Sequence, residues 1–233
     1  MAKVFIGVGH GGADSGAVGH LVEKDVNLVE ALACRDFLEM HGVQVLMSRT
    51  SDENDPLTEE IRECNAFNPD LAVDLHNNSG GGDGFEVYYH FKGGTSKILA
   101  ENIEAEVKAI GQNSRGCKTR MNSSGRDYYG FIRETKCPAV ICEGCFVDNS
   151  EDVQIADTAE EQRAFGIAYA KGILKTLGIA IKENTAQNTT QNNSNSEAKY
   201  FVQVGAYSQK ENAEKQLQNA KNAGFSDAFI KSM

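Results

Sequence analysis

The sequence predicts an α/β protein, with a mostly parallel or mixed sheet covered by helices on both faces and a small βαβ segment at the C-terminus. Two observations support this prediction. Short apolar runs of strand length alternate with longer stretches whose apolar residues recur at helical spacing, and glycine-rich turns follow several of the short runs. The 233 residues, 40% of them hydrophobic, suffice for one core domain of about 150–200 residues and an appendage.

The first strand is predicted at Val4–Gly9, where six apolar or glycine residues have the length of a buried strand. A glycine-rich turn follows and places His10 at the carboxyl end of this strand. Ligands of open α/β sheets bind at the carboxyl ends of strands, so His10 is a candidate ligand. A purely structural histidine is the alternative, and the turn by itself does not decide between the two.

The remaining elements follow in chain order. We predict a helix at about 23–41, a strand at 43–47, a helix at 56–67, strands at 71–76 and 84–91, an amphipathic helix through Ile98, Ile103, Val107 and Ile110, a strand at 139–143 and a helix at about 158–177. The polar stretch 112–127 is rich in glycine, serine, asparagine and arginine. We therefore predict a loop there, close to the site.

The composition changes abruptly near residue 182. Asparagine, glutamine, threonine and serine dominate from Lys182 to Lys199, and such a stretch cannot bury enough apolar surface to order itself. We therefore predict a main domain at 1–181, a flexible polar linker at 182–198 and a C-terminal segment with a βαβ pattern at 199–233.

The charge and composition exclude several partners. A net charge of −10 and a pI near 5.0, without a cluster of lysine and arginine, argue against nucleic acid. No run of 18 apolar residues occurs, so we expect no membrane insertion. The first residues enter a strand without an apolar leader, so we expect synthesis in the cytoplasm without a signal peptide. Six cysteines in a chain of this length indicate a reducing compartment rather than a disulfide framework.

Four residues at strand or helix ends combine into a candidate metal site. His10 ends the first strand, Glu23 begins the first helix, His76 ends the third strand, and Glu143 ends a later strand. Two neutral imidazoles and one carboxylate suffice for a tetrahedral Zn²⁺ that keeps one position open for water. Glu143 would then take a proton from water and pass it to a leaving nitrogen.

Each of these residues also has a structural interpretation. Glu23 could simply interact favourably with the dipole of the helix that it begins, and His76 could be a hydrogen-bonded residue at a strand end. Glu143 is harder to explain in this way, because a carboxylate in an apolar strand is costly to bury unless it is paired or near a metal. Cys142 and Cys145 have a C-x-x-C spacing, but we interpret them as buried free thiols since no second pair accompanies them.

Five segments resemble, in order, the motifs of the zinc-dependent N-acetylmuramoyl-L-alanine amidases, the type 3 amidases of bacterial autolysins and phage endolysins. The segments are Gly9–Ala17, Glu23–Leu28, Asp74–Asn78, Ile132–Ala139 and Glu143–Phe146. The resemblance covers about residues 3–177 and makes 1–181 a catalytic domain. It implies a twisted mixed sheet of about six strands flanked by helices.

The resemblance also implies an activity and a set of roles. The enzyme would hydrolyse peptidoglycan at the amide that joins the lactyl group of N-acetylmuramic acid to L-alanine. His10, Glu23 and His76 would hold Zn²⁺. Glu143 would be the catalytic carboxylate, acting as general base and then as general acid.

Three further residues are candidates for contact with the ligands or the substrate. Asp74 shares a strand face with His76 and stands where the family more often has a small or hydroxyl residue, so it can partner that histidine. Asn78 follows on the same strand. Arg133 either orients the substrate or forms a structural ion pair, and the sequence favours neither. The cysteines beside Glu143 also depart from the family pattern.

The tail at 199–233 resembles half of a SPOR domain, a repeat that binds glycan strands. Its 35 residues seldom sustain a core unaided, so we predict that two chains pair their halves into a homodimer. The chain would act at the bacterial cell wall after release from the cell that made it. Two other functions stay open, namely a zinc peptidase that cuts within the stem peptide and a non-catalytic cell-wall-binding protein.

Overall fold

The computed structural model describes residues 1–182, Glu214 and Leu217. Residues 1–182 contain a mixed sheet of six strands, which confirms the predicted fold class. The strands are β1 (Lys3–Val8), β2 (Gln44–Met47), β3 (Leu71–Asn78), β4 (Phe85–Tyr89), β5 (Ser114–Lys118) and β6 (Ala139–Phe146). Their order across the sheet is β2-β1-β3-β6-β4-β5.

Helices cover both faces of this sheet. They are α1 (Glu23–Met40), α2 (Leu57–Phe67), α3 (Thr95–Ala109), α4 (Gly130–Glu134) and α5 (Ala159–Leu177), with a 3₁₀ turn at Asp152–Ile155. The helices α1, α3 and α5 pack against one face and enclose the larger core. The helices α2 and α4 pack against the other face over a smaller core.

The strand directions bring three carboxyl ends together. β1, β3 and β6 are neighbours and run parallel, so their carboxyl ends lie along one edge of the sheet. β4 is antiparallel to β6 and parallel to β5. In an open α/β sheet, the edge formed by parallel carboxyl ends is where ligands bind.

The residue pattern of β1 explains how it packs as an interior strand between β2 and β3. Val4, Ile6 and Val8 belong to the larger core, whereas Phe5 belongs to the smaller core on the opposite face. All four side chains are buried, as expected for a parallel strand covered on both sides. The near-continuous apolar run of the sequence therefore predicted this strand correctly.

Two local predictions were wrong. The stretch 112–127 is not a loop throughout, because β5 occupies Ser114–Lys118. An edge strand has only one neighbour and little buried surface, so its polar sequence carries no apolar alternation. On α3, Ile98 is 53% exposed although its spacing placed it on the buried face, and Leu99 and Ala100 are buried instead.

The predicted linker at 182–198 and the βαβ pattern at 199–233 lie outside the described residues, apart from Lys182, Glu214 and Leu217. The predicted pairing of two chains through that segment lies outside them as well. Among the described residues, no helix combines the length and the hydropathy needed to cross a bilayer.

Candidate metal centre and active site

The edge formed by the parallel strands gathers the four residues that the sequence singled out. His10 follows β1, and His76 lies near the end of β3. Glu143 on β6 is the register partner of His76 on the adjacent strand. Glu23 is the first residue of α1 and is 4% exposed. Side chains far apart in the chain therefore meet because parallel strands end at the same edge.

Three of these side chains are close enough to share one ion. Glu23 Oε1 lies 3.2 Å from His10 Nε2 and 2.9 Å from His76 Nδ1. The two imidazole rings meet edge to face, with centroids 5.0 Å apart. One donor atom from each residue falls within 4.8 Å of the others. The structure thus brings His10, Glu23 and His76 into one cluster of metal-binding type.

The backbone around the cluster allows the side chains of His10, Glu23 and His76 to approach one another closely. His10 has a φ of 64°, a left-handed conformation that is uncommon outside glycine. A Cβ at Gly9 would lie 2.2 Å from His76 Cε1. A Cβ at Gly16 would lie 2.5 Å from both Glu23 Oε2 and His10 Cδ2. Glycine is therefore required at both positions for the three side chains to meet.

Each histidine has a carboxylate on the nitrogen that faces away from Glu23. His10 Nδ1 lies 3.0 Å from Asp14 Oδ2. His76 Nε2 lies 3.4 Å from Asp74 Oδ2, in keeping with the shared strand face that the sequence indicated. Carboxylates in this position fix the ring orientation and the tautomer of metal-binding histidines.

The electrostatics follow from these contacts. Burial alone would raise the pKa of Glu23, but hydrogen bonds from His10 and His76 lower it well below its usual range. The hydrogen bond to Glu23 raises the pKa of His10. Burial opposes the charged form of His76, but the charge of Asp74, hydrogen bonds to Asp74 and Glu23 and the charge of Glu143 together outweigh it and raise the pKa of this histidine. The cluster therefore attracts positive charge strongly.

Glu143 has a different environment. Burial raises the pKa of its carboxyl to about 7, and the negative charges of Glu23, Asp74 and Glu86 add to the effect against the opposing influence of His76. A carboxyl whose pKa lies near neutrality can accept and return a proton within one reaction cycle. No ion pair or hydrogen bond of the described residues occupies this carboxylate.

Two other predicted residues serve the surrounding loops. The side-chain oxygen of Asn78 accepts a hydrogen bond from the Ser79 N–H at 2.9 Å. The backbone carbonyl of Asn78 accepts a hydrogen bond from the Val147 N–H. Arg133 contacts Glu134 at 2.7 Å. Its Nη1 also donates to the carbonyls of Asp127 and Tyr128, each at 2.8 Å. The structural interpretation of Arg133 accounts for all of these contacts.

Several residues that were not predicted from the sequence support the site. Asp14 stands four residues after His10, a spacing that could have drawn attention to it. Arg49 is 2% exposed and donates to the carbonyls of Val8 and Gly9 at the end of β1. No local signal identifies Arg49, because the two carbonyls that it binds at the end of β1 are 41 and 40 residues away in the chain.

A further set of polar side chains supports the candidate ligands. The Asn77 N–H donates to Glu23 Oε1 at 3.1 Å. The Asn77 amide donates to Asn27 Oδ1, and Asn27 in turn donates to the carbonyl of Gly9, each at 2.9 Å. The Asn77 amide oxygen accepts the N–H of Cys145 at 2.9 Å. These bonds connect β1, α1, β3 and β6 directly under the candidate metal centre.

No cysteine thiol belongs to the cluster of His10, Glu23 and His76. All six are free, and Cys142 and Cys145 are buried. Burial raises the pKa of both thiols. The interpretation of this C-x-x-C pair as buried free thiols is thereby confirmed.

The donor set fits zinc. Zinc prefers imidazole and carboxylate donors in a tetrahedron, whose donor atoms lie roughly 3.3 Å apart for bonds near 2.0 Å. The measured separations of 3.2 and 2.9 Å between Glu23 Oε1 and the two imidazole nitrogens are close to that value. Three protein ligands leave a fourth position for water or substrate, as in catalytic rather than structural zinc sites.

Comparison with known proteins gives matches along almost the whole chain. The family model described as N-acetylmuramoyl-L-alanine amidase matches residues 4–175, and a SPOR domain model matches residues 196–232. The N-acetylmuramoyl-L-alanine amidase CwlM of Bacillus licheniformis is 36% identical, over 99% of this chain and 85% of the relative. A sporulation-specific N-acetylmuramoyl-L-alanine amidase of Bacillus subtilis is 34% identical with the same coverage.

Solved structures agree with the sequence matches. Cwp6 from Clostridium difficile superposes with a TM-score of 0.74 at 35% identity, over 76% of this chain and 29% of that one. The catalytic domain of CwlV, an N-acetylmuramoyl-L-alanine amidase from Bacillus (Paenibacillus) polymyxa, superposes with a TM-score of 0.69 at 28% identity, over 77% of this chain and all of that one. The ordered motifs, the sheet and these matches lead to one conclusion: the chain belongs to the N-acetylmuramoyl-L-alanine amidase family.

Proposed function

We propose that this chain hydrolyses the amide between the lactyl group of N-acetylmuramic acid and L-alanine in peptidoglycan, using zinc held by His10, Glu23 and His76. The observation that carries the proposal is the convergence of these three side chains beside Glu143. A structural zinc site would use a closed set of four protein ligands. Here three ligands adjoin a carboxylate whose pKa is raised to about 7.

Each residue has a role in this proposal. When bound, zinc supplies Lewis acidity that polarises the substrate carbonyl and makes water easier to deprotonate. Glu143 takes the proton of the attacking water and then delivers it to the departing nitrogen of L-alanine. Asp14 and Asp74 hold the two imidazoles in the orientation that directs one nitrogen of each towards Glu23.

Identification of the reaction products tests the bond that is cut. Purified peptidoglycan would be digested with and without a chelator, and the new ends would be identified by mass spectrometry. We expect free L-alanine amino termini that vanish on chelation and return with Zn²⁺. Intact muramoyl–alanine linkages with cuts elsewhere would instead establish a peptidase of the stem peptide, and no cuts at all would establish a wall-binding protein.

A variant of Glu143 tests the assignment of roles. We expect Glu143→Ala to lower kcat by about 10²- to 10⁴-fold, because the proton transfers lose their carboxylate. It should still bind one zinc ion, since the three ligands are unchanged. Glu39→Ala, at an exposed position on α1, is the matched control. Loss of zinc from Glu143→Ala would make this residue a ligand and contradict the proposed role.

We further propose that the segment matched by the SPOR model tethers the enzyme to the cell wall. The boundaries 1–181, 182–198 and 199–233 and the pairing of two such segments into a dimer stay predictions. They are supported by the change in composition near residue 182 and by the small size of the segment.

A further inference from the structure

The chain has no run of consecutive lysines and arginines, but spaced basic residues are concentrated in one segment next to the active site of this acidic chain. Residues 112–137 contain six lysines and arginines but only two acidic residues, whereas the whole chain carries a net charge of −10. This segment includes β5 and the loop that follows it. Three of its cations lie on or just beyond β5, and we call Arg115, Lys118 and Arg120 the cationic strip.

Glu86 connects the cationic strip with Glu143. Glu86 on β4 is the cross-strand partner of Glu143 on β6, so the two side chains project from the same face of the sheet. Arg115 and Lys118 both form an ion pair with Glu86, and Lys118 Nζ lies 2.6 Å from Glu86 Oε1. One strand, β4, therefore separates the strip from the strand that carries the catalytic carboxylate.

Arg115 and Lys118 carry two positive charges, whereas Glu86 carries one negative charge. One carboxylate neutralises one positive charge, so the pair leaves excess positive charge beside the site. The side chains of Arg115 and Lys118 are 42% and 32% exposed, whereas that of Glu86 is only 5% exposed. The Arg115 guanidinium also lies over the Phe146 ring, 5.2 Å from its centroid, which restricts its orientation.

Arg120 is held on an aromatic surface. Its guanidinium carbon lies 3.7 Å from the centroid of Tyr128 and 5.8 Å from that of Tyr129. Tyr129 packs against Tyr88 at 4.7 Å, and the Tyr88 hydroxyl donates to Glu86. Arg120 is exposed and forms no ion pair with any carboxylate in residues 1–182. Stacking leaves the edge of a guanidinium free to bind an anion in a bidentate manner.

We propose that the cationic strip binds the carboxylates of the peptidoglycan stem peptide and so selects substrates whose stem is not amidated. The inference rests on the proposed function, because the scissile amide must lie at Glu143 for the peptide to extend along β4 and β5. Arg120 supplies a preorganised guanidinium. Arg115 and Lys118 supply the excess charge between it and Glu143. The same residues would discriminate against a stem whose carboxylate has become a neutral amide.

Two substrates that differ in one group test this selectivity. They are synthetic muramoyl-L-alanyl peptides whose second residue is either D-glutamate, with a free carboxylate, or D-isoglutamine, its amide. We expect the zinc-loaded full chain to show a kcat/KM at least tenfold higher for the carboxylate. Arg120→Gln should remove about tenfold from kcat/KM for that substrate, mainly through KM, and leave the amidated substrate almost unchanged. Arg115→Gln should act in the same direction.

The control removes the same charge elsewhere. Arg163 is exposed on α5, which packs against the opposite face of the sheet, and Arg163→Gln should change neither substrate. Equal losses for both substrates in Arg120→Gln would reveal a structural role and overturn the proposal. Equal kcat/KM values for the two substrates in the native enzyme would also overturn it.

A binding measurement tests the cationic strip independently of catalysis. Zinc-loaded Glu143→Ala would be titrated with each peptide, and we expect tenfold tighter binding of the carboxylate form that Arg120→Gln abolishes. This preference would support the strip even if cleavage occurred at a bond other than the muramoyl amide, which would count against the proposed function alone. If Arg120→Gln instead weakened binding only to cell walls that carry phosphate polymers, and not to either peptide, this result would contradict the proposal.

Discussion

At the scale of single residues, the site is defined by pairs of histidine and carboxylate. His10 and His76 each direct one nitrogen towards Glu23 and the other towards an aspartate. His10, Glu23 and His76 were predictable as candidate ligands, since each lies at or near the end of an element. Asp14 was not predicted because a single acidic residue in a glycine-rich turn has many structural explanations.

The first prediction at this scale concerns Asp14. Asp14→Asn keeps the size of the side chain but removes the charge that orients His10, so zinc affinity should fall about 10- to 100-fold. Competition with a chromophoric chelator would measure the dissociation constant. Asp36→Asn, on the exposed side of α1, should leave the affinity unchanged. An unchanged affinity in Asp14→Asn would mean that the aspartate only shapes the turn.

The second prediction concerns Glu30, a core carboxyl that the apolar spacing of α1 did not reveal. Glu30 is fully buried, and neither of its oxygens has a hydrogen-bond partner among the described residues. Burial raises the pKa of this carboxyl well above its ordinary value of 4.5. Above about pH 4.5 the unfolded chain releases this proton while the folded chain retains it, so the folded state loses stability as pH rises.

We therefore expect Glu30→Gln to stabilise the protein at neutral pH by about 1–2 kcal/mol, because the neutral amide removes this proton linkage. The difference should shrink to near zero below pH 4.5. Urea unfolding of both proteins between pH 4 and 8 would measure it. A difference that did not depend on pH would show that the two side chains differ only in packing.

Among the elements, Arg49 connects β1 with α1, which carry the candidate ligands His10 and Glu23. Its guanidinium donates to the carbonyls of Val8 and Gly9 at the end of β1 and to that of Lys24 in the first turn of α1. A fourth bond reaches the carbonyl of Ser51 at 3.1 Å. One buried side chain thus fixes the distance between the strand that delivers His10 and the helix that begins with Glu23.

We expect Arg49→Lys to lower the free energy of unfolding by about 2–4 kcal/mol, because an ammonium group cannot reach all of these carbonyls at once. Zinc affinity should fall together with stability, since the separation of β1 and α1 would no longer be fixed. Thermal unfolding with and without zinc would record both effects. Arg163→Lys, at an exposed position, is the control. A destabilised variant with native zinc affinity would restrict Arg49 to a role in folding.

The edge strand β5 was not predicted from the sequence, yet it carries residues of a proposed functional surface. β5 has the sequence Ser-Arg-Gly-Cys-Lys, without apolar alternation. It exists because β4 offers it an unpaired edge in parallel register. The same polar composition that hid the strand supplies two members of the cationic strip.

At the scale of the whole molecule, the catalytic core and the tail have separable contributions. Residues 1–182 contain every residue of the proposed metal centre and of the cationic strip. The SPOR match begins at residue 196. A chain shortened at Lys182 would keep the hydrogen bond from its backbone N–H to His41 Nε2.

We expect this shortened chain to hydrolyse a soluble muramoyl peptide as fast as the full chain, because the chemistry needs only the core. Its retention on pelleted cell walls should fall about tenfold or more, since one of two attachment sites is lost. Sedimentation should find the full chain as a dimer and the shortened chain as a monomer. A dimer that survives the deletion would place the interface in the core and contradict pairing through the tail.

The α/β class, the positions of most strands and helices, and the candidate site residues His10, Glu23, His76 and Glu143 can be recognised in the sequence. These follow from apolar periodicity and from ordered motifs, which are local properties of the chain. Tertiary structure alone decided which distant groups meet. The antiparallel entry of β4 sets Glu86 opposite Glu143, and the fold brings Arg49 against the end of β1. Such contacts depend on strand register and direction, which no local spacing of residues specifies.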